Sequence, residues 1–153
     1  MKIMVITDME GVAGLMDSDN WCHPPSDKYP GRYYELGKQL LTEEVNAAVD
    51  GLCDAGATDL VVVDGHGEGG INPLLLDRRC KLMRGWPEVW PFGLDSSYDA
   101  VAWVGQHAKA SSTYAHLAHT QSMIYIDLSI NGVSIGEFGQ LALCAGELGV
   151  PVL

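Results

Sequence analysis

Ile3 to Thr7 is a short, nearly continuous apolar run rich in β-branched residues, the pattern of a strand covered on both faces. Leu60 to Asp64 and Ala100 to Val104 repeat it. Between the first two runs, Leu36, Leu40, Leu41, Val45, Ala48, Val49 and Leu52 recur at three- and four-residue intervals, which predicts a helix with one apolar face, closed near Gly56. Strand, helix and buried strand in that order predict a right-handed βαβ unit at the start of the fold.

Further along, Met123 to Ile130 alternates into Asn131-Gly132, a turn pair that favours a hairpin leading into Val133 to Ile135. A helix is expected from about Glu137 to Leu148, capped at Gly149. The stretch from Leu15 to Gly31 holds Asp17, Ser18, Asp19, Asn20, Pro24, Pro25 and Pro30 and is too broken for a regular element; it is long enough to be either a lid or a plain surface loop. Gly67 to Ser97 is punctuated by glycine and proline, with a short strand suggested at Lys81 to Met83 and a cluster of Trp86, Pro87, Trp90 and Pro91. Val150 to Leu153 begins what reads as another buried strand and then stops, so the chain is expected to be the N-terminal part of something longer. The expected fold is α/β, three-layered, with a mostly parallel central sheet.

Composition narrows the picture. With 153 residues, 47% of them hydrophobic, the chain can bury one core, so residues 1–153 are expected to form one N-terminal α/β domain. The formal charge of −11 repels phosphate backbones and anionic lipids, which argues against nucleic-acid and membrane partners. No apolar run reaches the roughly 18 residues needed to span a bilayer, and Met1-Lys2-Ile3-Met4-Val5-Ile6 enters a strand directly without a signal-peptide layout. A cytoplasmic location is expected. Cys22, Cys53, Cys80 and Cys144 are scattered, with no CxxC pair, and Cys53 and Cys144 are expected to be reduced core residues.

The candidate chemistry lies where the predicted strands end. In a parallel sheet the carboxyl ends of the strands share one edge, so residues distant in sequence meet in one crevice. Asp8 and Glu10 follow the first strand, His66 the second and His107 the third. Asp8 and Glu10 stand two apart, which points both to one side with Met9 opposite if strand geometry persists. Two buried carboxylates repel, and a divalent cation removes that penalty; acids that bond to backbone amides are the competing reading. Gly11 and Gly14 imply a sharp turn beside them. His66, in Asp64-Gly65-His66-Gly67-Glu68-Gly69-Gly70, and His107, in Gly105-Gln106-His107-Ala108-Lys109, occupy equivalent positions after their strands, and that repetition favours a metal site. Phosphate binding by the glycines is disfavoured, because neither GxGxxG before a helix nor a Walker lysine is present. His116 and His119 are not ranked by spacing alone, His23 beside two prolines is expected to be solvent-exposed, and Glu137 fits either a helix start or the crevice.

These residues form a pattern that resembles the zinc-dependent D-aminopeptidase family. The resemblance runs from Met1 to Leu153 and is carried by Thr7-Asp8-Met9-Glu10-Gly11 with Gly14, Leu41-Thr42-Glu43-Glu44-Val45-Asn46, Asp64-Gly65-His66-Gly67, Gly105-Gln106-His107-Ala108, Ala118-His119-Thr120 and Gly136-Glu137-Phe138-Gly139. It implies a two-zinc site at the carboxyl ends of the strands, with Asp8 bridging the ions and Glu10, His66, His107 and Glu137 completing the ligand set. It also implies His119, not His116, as the catalytic histidine. The activity implied is removal of an N-terminal, D-configured residue from a short peptide, by a longer chain with a second domain that assembles into ring-like homo-oligomers. The alternatives are another metallohydrolase, acting on phosphate esters or cyclic amides with the same ligands, and a metal-binding module without turnover.

Overall fold

The computed structural model describes residues 1–85 and 90–153. In chain order the elements are β1 (Lys2–Thr7), α1 (Ser18–Trp21), α2 (Tyr34–Asp54), β2 (Asp59–Asp64), β3 (Cys80–Met83), β4 (Ala100–Val104), β5 (Ser129–Ile130), β6 (Val133–Ser134) and α3 (Glu137–Leu148). The main sheet runs β3-β2-β1-β4, and every pairing in it is parallel. β1 is central, with Lys2 to Thr7 in register with Asp59 to Asp64 on one side and Ile3 to Thr7 with Ala100 to Val104 on the other.

Successive side chains of a strand leave opposite faces, so each strand feeds two cores. On one face Ile3, Val5, Leu60 and Val62 meet Leu41, Val45 and Val49 of α2. On the other, Met4, Ile6, Val61, Val63 and Val101 meet Leu141 and Ala145 of α3. Helix, sheet and helix therefore form the three layers that the uninterrupted apolar runs imply. Both long helices end as read from the sequence, α2 beside Gly56 and α3 at Gly149, each glycine having positive φ.

Four expectations need correction. Leu36 is 45% exposed, while Gly37 and Thr42 are buried in its place on α2. The cause is α1, whose Trp21 carbonyl oxygen would stand 2.8 Å from a Cβ on residue 37. α1 is itself a regular turn inside a stretch expected to have none, started by Asp17, whose side chain accepts from the Asn20 amide at 2.8 Å.

The expected strand from Met123 to Ile130 shrinks to Ser129–Ile130 paired with Val133–Ser134, while Met123, Ile124 and Ile126 stay exposed. Alternation alone stabilises a strand only when a ladder and a covering layer exist. Here the Tyr125 amide turns back to the Ser122 carbonyl, and Ser111 Oγ donates to the Ile126 carbonyl. Val150 to Leu153 forms one parallel bridge, Val101 to Val152, with Val150 buried and Leu153 exposed. All four cysteines are free thiols, but Cys22 is the buried one, whereas Cys53 and Cys144 are half-buried. Trp86 and Pro87 lie outside the described residues. Among the described residues no helix is long and apolar enough to cross a membrane.

Leu41, fully buried between α2 and the sheet, sets a test of this packing. Leu41→Ala is expected to lower the unfolding free energy by about 2–5 kcal/mol, and Leu36→Ala by less than about 1 kcal/mol, in urea titrations followed by circular dichroism.

Candidate metal centre

Pairing between β1 and β4 continues beyond the strands. The Asp8 amide donates to the Val104 carbonyl at 3.0 Å and the Gly11 amide to the Gly105 carbonyl at 2.8 Å. Gly105 has φ of +74°, and a Cβ there would lie 2.0 Å from the Asp8 carbonyl oxygen; no other residue type fits. On the β2 side the Gly65 amide donates to the Thr7 carbonyl at 3.1 Å. The loops after three strands are thereby held together at one edge. Met9 enters the α2-side core with no exposure, while Asp8 and Glu10 turn to the crevice, as their two-residue spacing requires.

The crevice, of about 680 Å³, is lined by Asp8, Glu10, His66, His107, His119 and Glu137 among others. Asp8 sits between the two histidines from neighbouring strands. Its Oδ1 lies 3.3 Å from His66 Nδ1, and its Oδ2 lies 3.3 Å from His107 Nε2. Glu10 Oε2 approaches His66 Nδ1 at 3.2 Å, and Glu137 Oε1 approaches His107 Nε2 at 3.3 Å. Two clusters lie at Asp8, Asp8 with Glu10 and His66, and His107 with His119 and Glu137, and a third joins His23, His66 and Glu68; in each, the possible ligand atoms lie within 4.8 Å of one another. His119 stacks on His107, with ring centroids 3.7 Å apart and planes 10° off parallel. His116 is exposed and does not line the crevice.

The outer nitrogens of the imidazoles are fixed by backbone carbonyls. His66 Nε2 bonds the Cys22 carbonyl at 2.6 Å, His107 Nδ1 that of Ala108 at 2.9 Å, and His119 Nδ1 that of Leu117 at 2.8 Å. Such contacts set ring orientation and leave the opposite nitrogen for the site. Glu137 does not cap its own helix; Oε1 accepts from the Gln121 amide at 2.6 Å. Glu10 Oε2 is buried with the ion pair to His66 Nδ1 but no hydrogen bond among the described residues, which leaves acceptor capacity that a bound cation would take up. Carboxylate oxygens and imidazole nitrogens are a donor set suited to zinc and other first-row divalent ions.

Comparison with known proteins gives the family and the fold. The profile of the D-aminopeptidase family matches residues 1–153. The chain belongs to the D-aminopeptidase family. A D-aminopeptidase of Bacillus subtilis (strain 168) is 33% identical over 160 residues, a match that takes in 100% of this chain and 54% of the relative. The solved structure of the Zn-dependent D-aminopeptidase DppA from Bacillus subtilis, described as a self-compartmentalizing protease, superposes with a TM-score of 0.86 at 30% identity, over 99% of this chain and 54% of that one. This D-aminopeptidase family member thus spans about half the length of the curated relative it matches.

Several contributors to the site escape sequence reasoning. Gln106 Nε2 donates to Asp8 Oδ2 at 2.9 Å; its place directly before His107 was the available signal. His23 is not solvent-exposed but half-buried in the crevice, stacked on Tyr29 at 3.8 Å, with Nδ1 3.2 Å from Glu68 Oε1 and Nε2 3.2 Å from Ser18 Oγ. No local pattern points to it. Asp64 anchors the loop bearing His66, accepting from the Gly70 and Ile71 amides and from Arg84 Nε.

Burial pushes the Asp8 carboxyl up to about 6, with Glu10 adding to the effect and His66 and His107 opposing it. Burial acts to raise Glu10 too, but His66 outweighs it and holds the carboxyl at about 2. Burial acts to lower both histidines; Asp8 and Glu10 override it at His66, pushing it to about 11, and Glu137 and Asp8 override it at His107, pushing it to about 9. Each imidazolium therefore balances the carboxylates around it. A histidine raised from 6.5 contributes stability that is complete below its unfolded value and lost as pH rises through its folded one. Asp8, raised to about 6, has lost its own contribution before pH 7, and Glu10 changes only toward acid. The chelator-treated protein is thus expected to melt at lower temperature as pH rises from 7 to 10, which differential scanning fluorimetry would show. An unchanged melting temperature over that window is the contrary result.

Proposed function

We propose that the protein is a zinc-dependent aminopeptidase that releases N-terminal, D-configured residues from short peptides at a two-zinc site. The observation that carries this reading is Asp8, whose two oxygens face His66 and His107 at equal distance. One ion would be held by Asp8, Glu10 and His66, the other by Asp8, His107 and Glu137. When bound, the pair supplies Lewis-acid polarisation of the scissile carbonyl and a reactive water at neutral pH.

The remaining work falls to side chains of this chain. His119, with Nδ1 committed to the Leu117 carbonyl, has Nε2 to take a proton from the attacking water and return it to the leaving amine nitrogen. Gln106 and the Met9 amide, donating to Oδ2 and Oδ1 of Asp8 at 2.9 Å each, fix the orientation of that carboxylate. The carboxylates of the crevice favour the cationic amino terminus of a peptide. Homo-oligomeric assembly belongs to the same proposal, supported by the exposed Met123, Ile124 and Ile126 at and beside the crevice mouth and by the description of DppA as self-compartmentalizing.

Elemental analysis joined to cleavage assays on matched D- and L-dipeptides, with and without a chelator, tests the reading. Two zinc ions per chain and chelator-sensitive cleavage of the D-peptide are expected, and turnover indifferent to chelation would overturn it. Asp8→Asn is expected to lose both tight metal uptake and activity. His119→Ala is expected to keep its metal while kcat falls by about 10²–10⁴; loss of metal from that variant would make His119 a ligand instead. Zinc uptake at pH 7.5 is expected to release protons from His66 and His107, both raised above that pH, as calorimetry in buffers of different ionisation enthalpy would report.

A further inference from the structure

The crevice has one feature that the hydrolytic chemistry does not use. Four carboxylates line it, Asp8, Glu10, Glu68 and Glu137, and against them, among the described lining residues, stands a single lysine or arginine, Lys28. No carboxylate among the described residues forms an ion pair with Lys28, although acids outnumber cations in this chain, 20 Asp and Glu against 9 Lys and Arg. Glu68, the acid of the crevice on the same side, is engaged by His23 and His66 instead.

Lys28 is also held in place. Its Nζ lies over the Tyr29 ring, 4.6 Å from the centroid, a contact that favours an ammonium. Tyr29 stacks on His23, and His23 bonds Glu68 and Ser18. The backbone of the same turn is tied by Ser26 Oγ, which accepts from the Lys28 and Tyr29 amides at 3.3 and 3.1 Å. Lys28 is exposed, so these contacts bias its ammonium toward the Tyr29 ring at the rim of the crevice without removing it from water. The chain of rings Tyr29, His23 and His66 connects the position of Lys28 to the loop that carries a proposed metal ligand.

We infer that Lys28 is a specificity residue that binds the free carboxylate of a dipeptide, the residue after the scissile bond being the last one. The inference rests on the aminopeptidase reading for its substrate. A dipeptide carries its ammonium on one side of the reacting carbonyl and its carboxylate about one residue, or roughly 3.5 Å of chain, beyond it. The ammonium is favoured at the carboxylate clusters. At the clusters the positive charge of His66 and His107 is already matched by carboxylates, whereas Lys28, the one lysine or arginine among the described lining residues, has no paired acid, so the lysine favours peptides short enough to place a terminal carboxylate there. Longer peptides present an uncharged amide at that point and gain nothing from it.

The test compares a D-alanyl dipeptide with its C-terminal amide in the wild-type protein, Lys28→Met and Lys28→Glu. The wild type is expected to favour the acid. The acid-to-amide ratio of kcat/KM is expected to fall roughly fivefold in Lys28→Met and further in Lys28→Glu, through KM rather than kcat, and the wild-type ratio is expected to shrink with added salt. An acid-to-amide ratio that stays constant across the three proteins overturns the inference while leaving the aminopeptidase reading intact. A second arm measures, by calorimetry, binding of a non-hydrolysable dipeptide isostere as acid and as amide. If the wild type cleaves neither dipeptide, the aminopeptidase reading falls and this arm decides alone: a preference for the acid that disappears in Lys28→Met upholds the carboxylate subsite, and its persistence rejects it.

Discussion

At residue 105 the backbone of the loop after β4 passes so close to the Asp8 carbonyl that a Cβ would stand 2.0 Å from it. Everything at the carboxyl edge depends on that approach. Parallel neighbours normally diverge once their ladder ends, because the connections must leave the sheet for the helical layers. Here hydrogen bonds from the Asp8 and Gly11 amides prolong the ladder for several residues. Asp8 is thereby kept beside His107, and the Gly65 amide does the same for the loop carrying His66. A side chain at position 105 would part β1 from β4 and separate Asp8 from His107 without touching any ionisable group.

The close approach creates an electrostatic problem that the site answers locally. Asp8 and Glu10 are both buried at the end of an apolar strand, where like charges interact strongly because little water screens them. Their opposite pKa directions, Asp8 up and Glu10 down, show how one carboxylate takes most of the compensation from His66. His107 and Glu137 form a second balanced pair on the other side of Asp8. Ionic neutrality explains why such a cluster can exist in a folded chain; Glu10 Oε2, ion-paired with His66 Nδ1 but buried without a hydrogen bond among the described residues, keeps acceptor capacity that a cation would satisfy.

How far the sequence reveals this molecule depends on which physical cause shapes each segment. β1, β2 and β4 are covered on both faces, which forces apolar runs, and these are legible without any neighbour in view. Asp8, Glu10, His66 and His107 are legible for the same reason, since strand direction alone delivers them to one edge. Glu137 and His119 are legible only through the family resemblance, because helix starts and irregular loops carry no such rule. Met123 to Ile130 misleads, because its alternation satisfies the strand pattern while its partner is not specified locally. Leu36 misleads in the opposite sense: α1 occupies the space beside Gly37, and that contact is between segments far from any shared pattern.

Sequence alone does not decide between lid and plain loop for Leu15 to Gly31, because its polar and proline-rich composition fits both. The structure makes it part of the site's framework. Cys22 gives its carbonyl to His66, His23 pairs with Glu68 two residues beyond His66, and Tyr29 stacks on His23. The segment is therefore joined to the very loop whose histidine faces Asp8 and Glu10, at the nitrogen that decides how that ring is turned. Any movement of residues 22–29 away from the crevice would release His66 Nε2 and change the orientation of Nδ1 toward the carboxylates. Access to the crevice and the integrity of the ligand cluster are consequently not independent properties of this chain, because the same few contacts govern both.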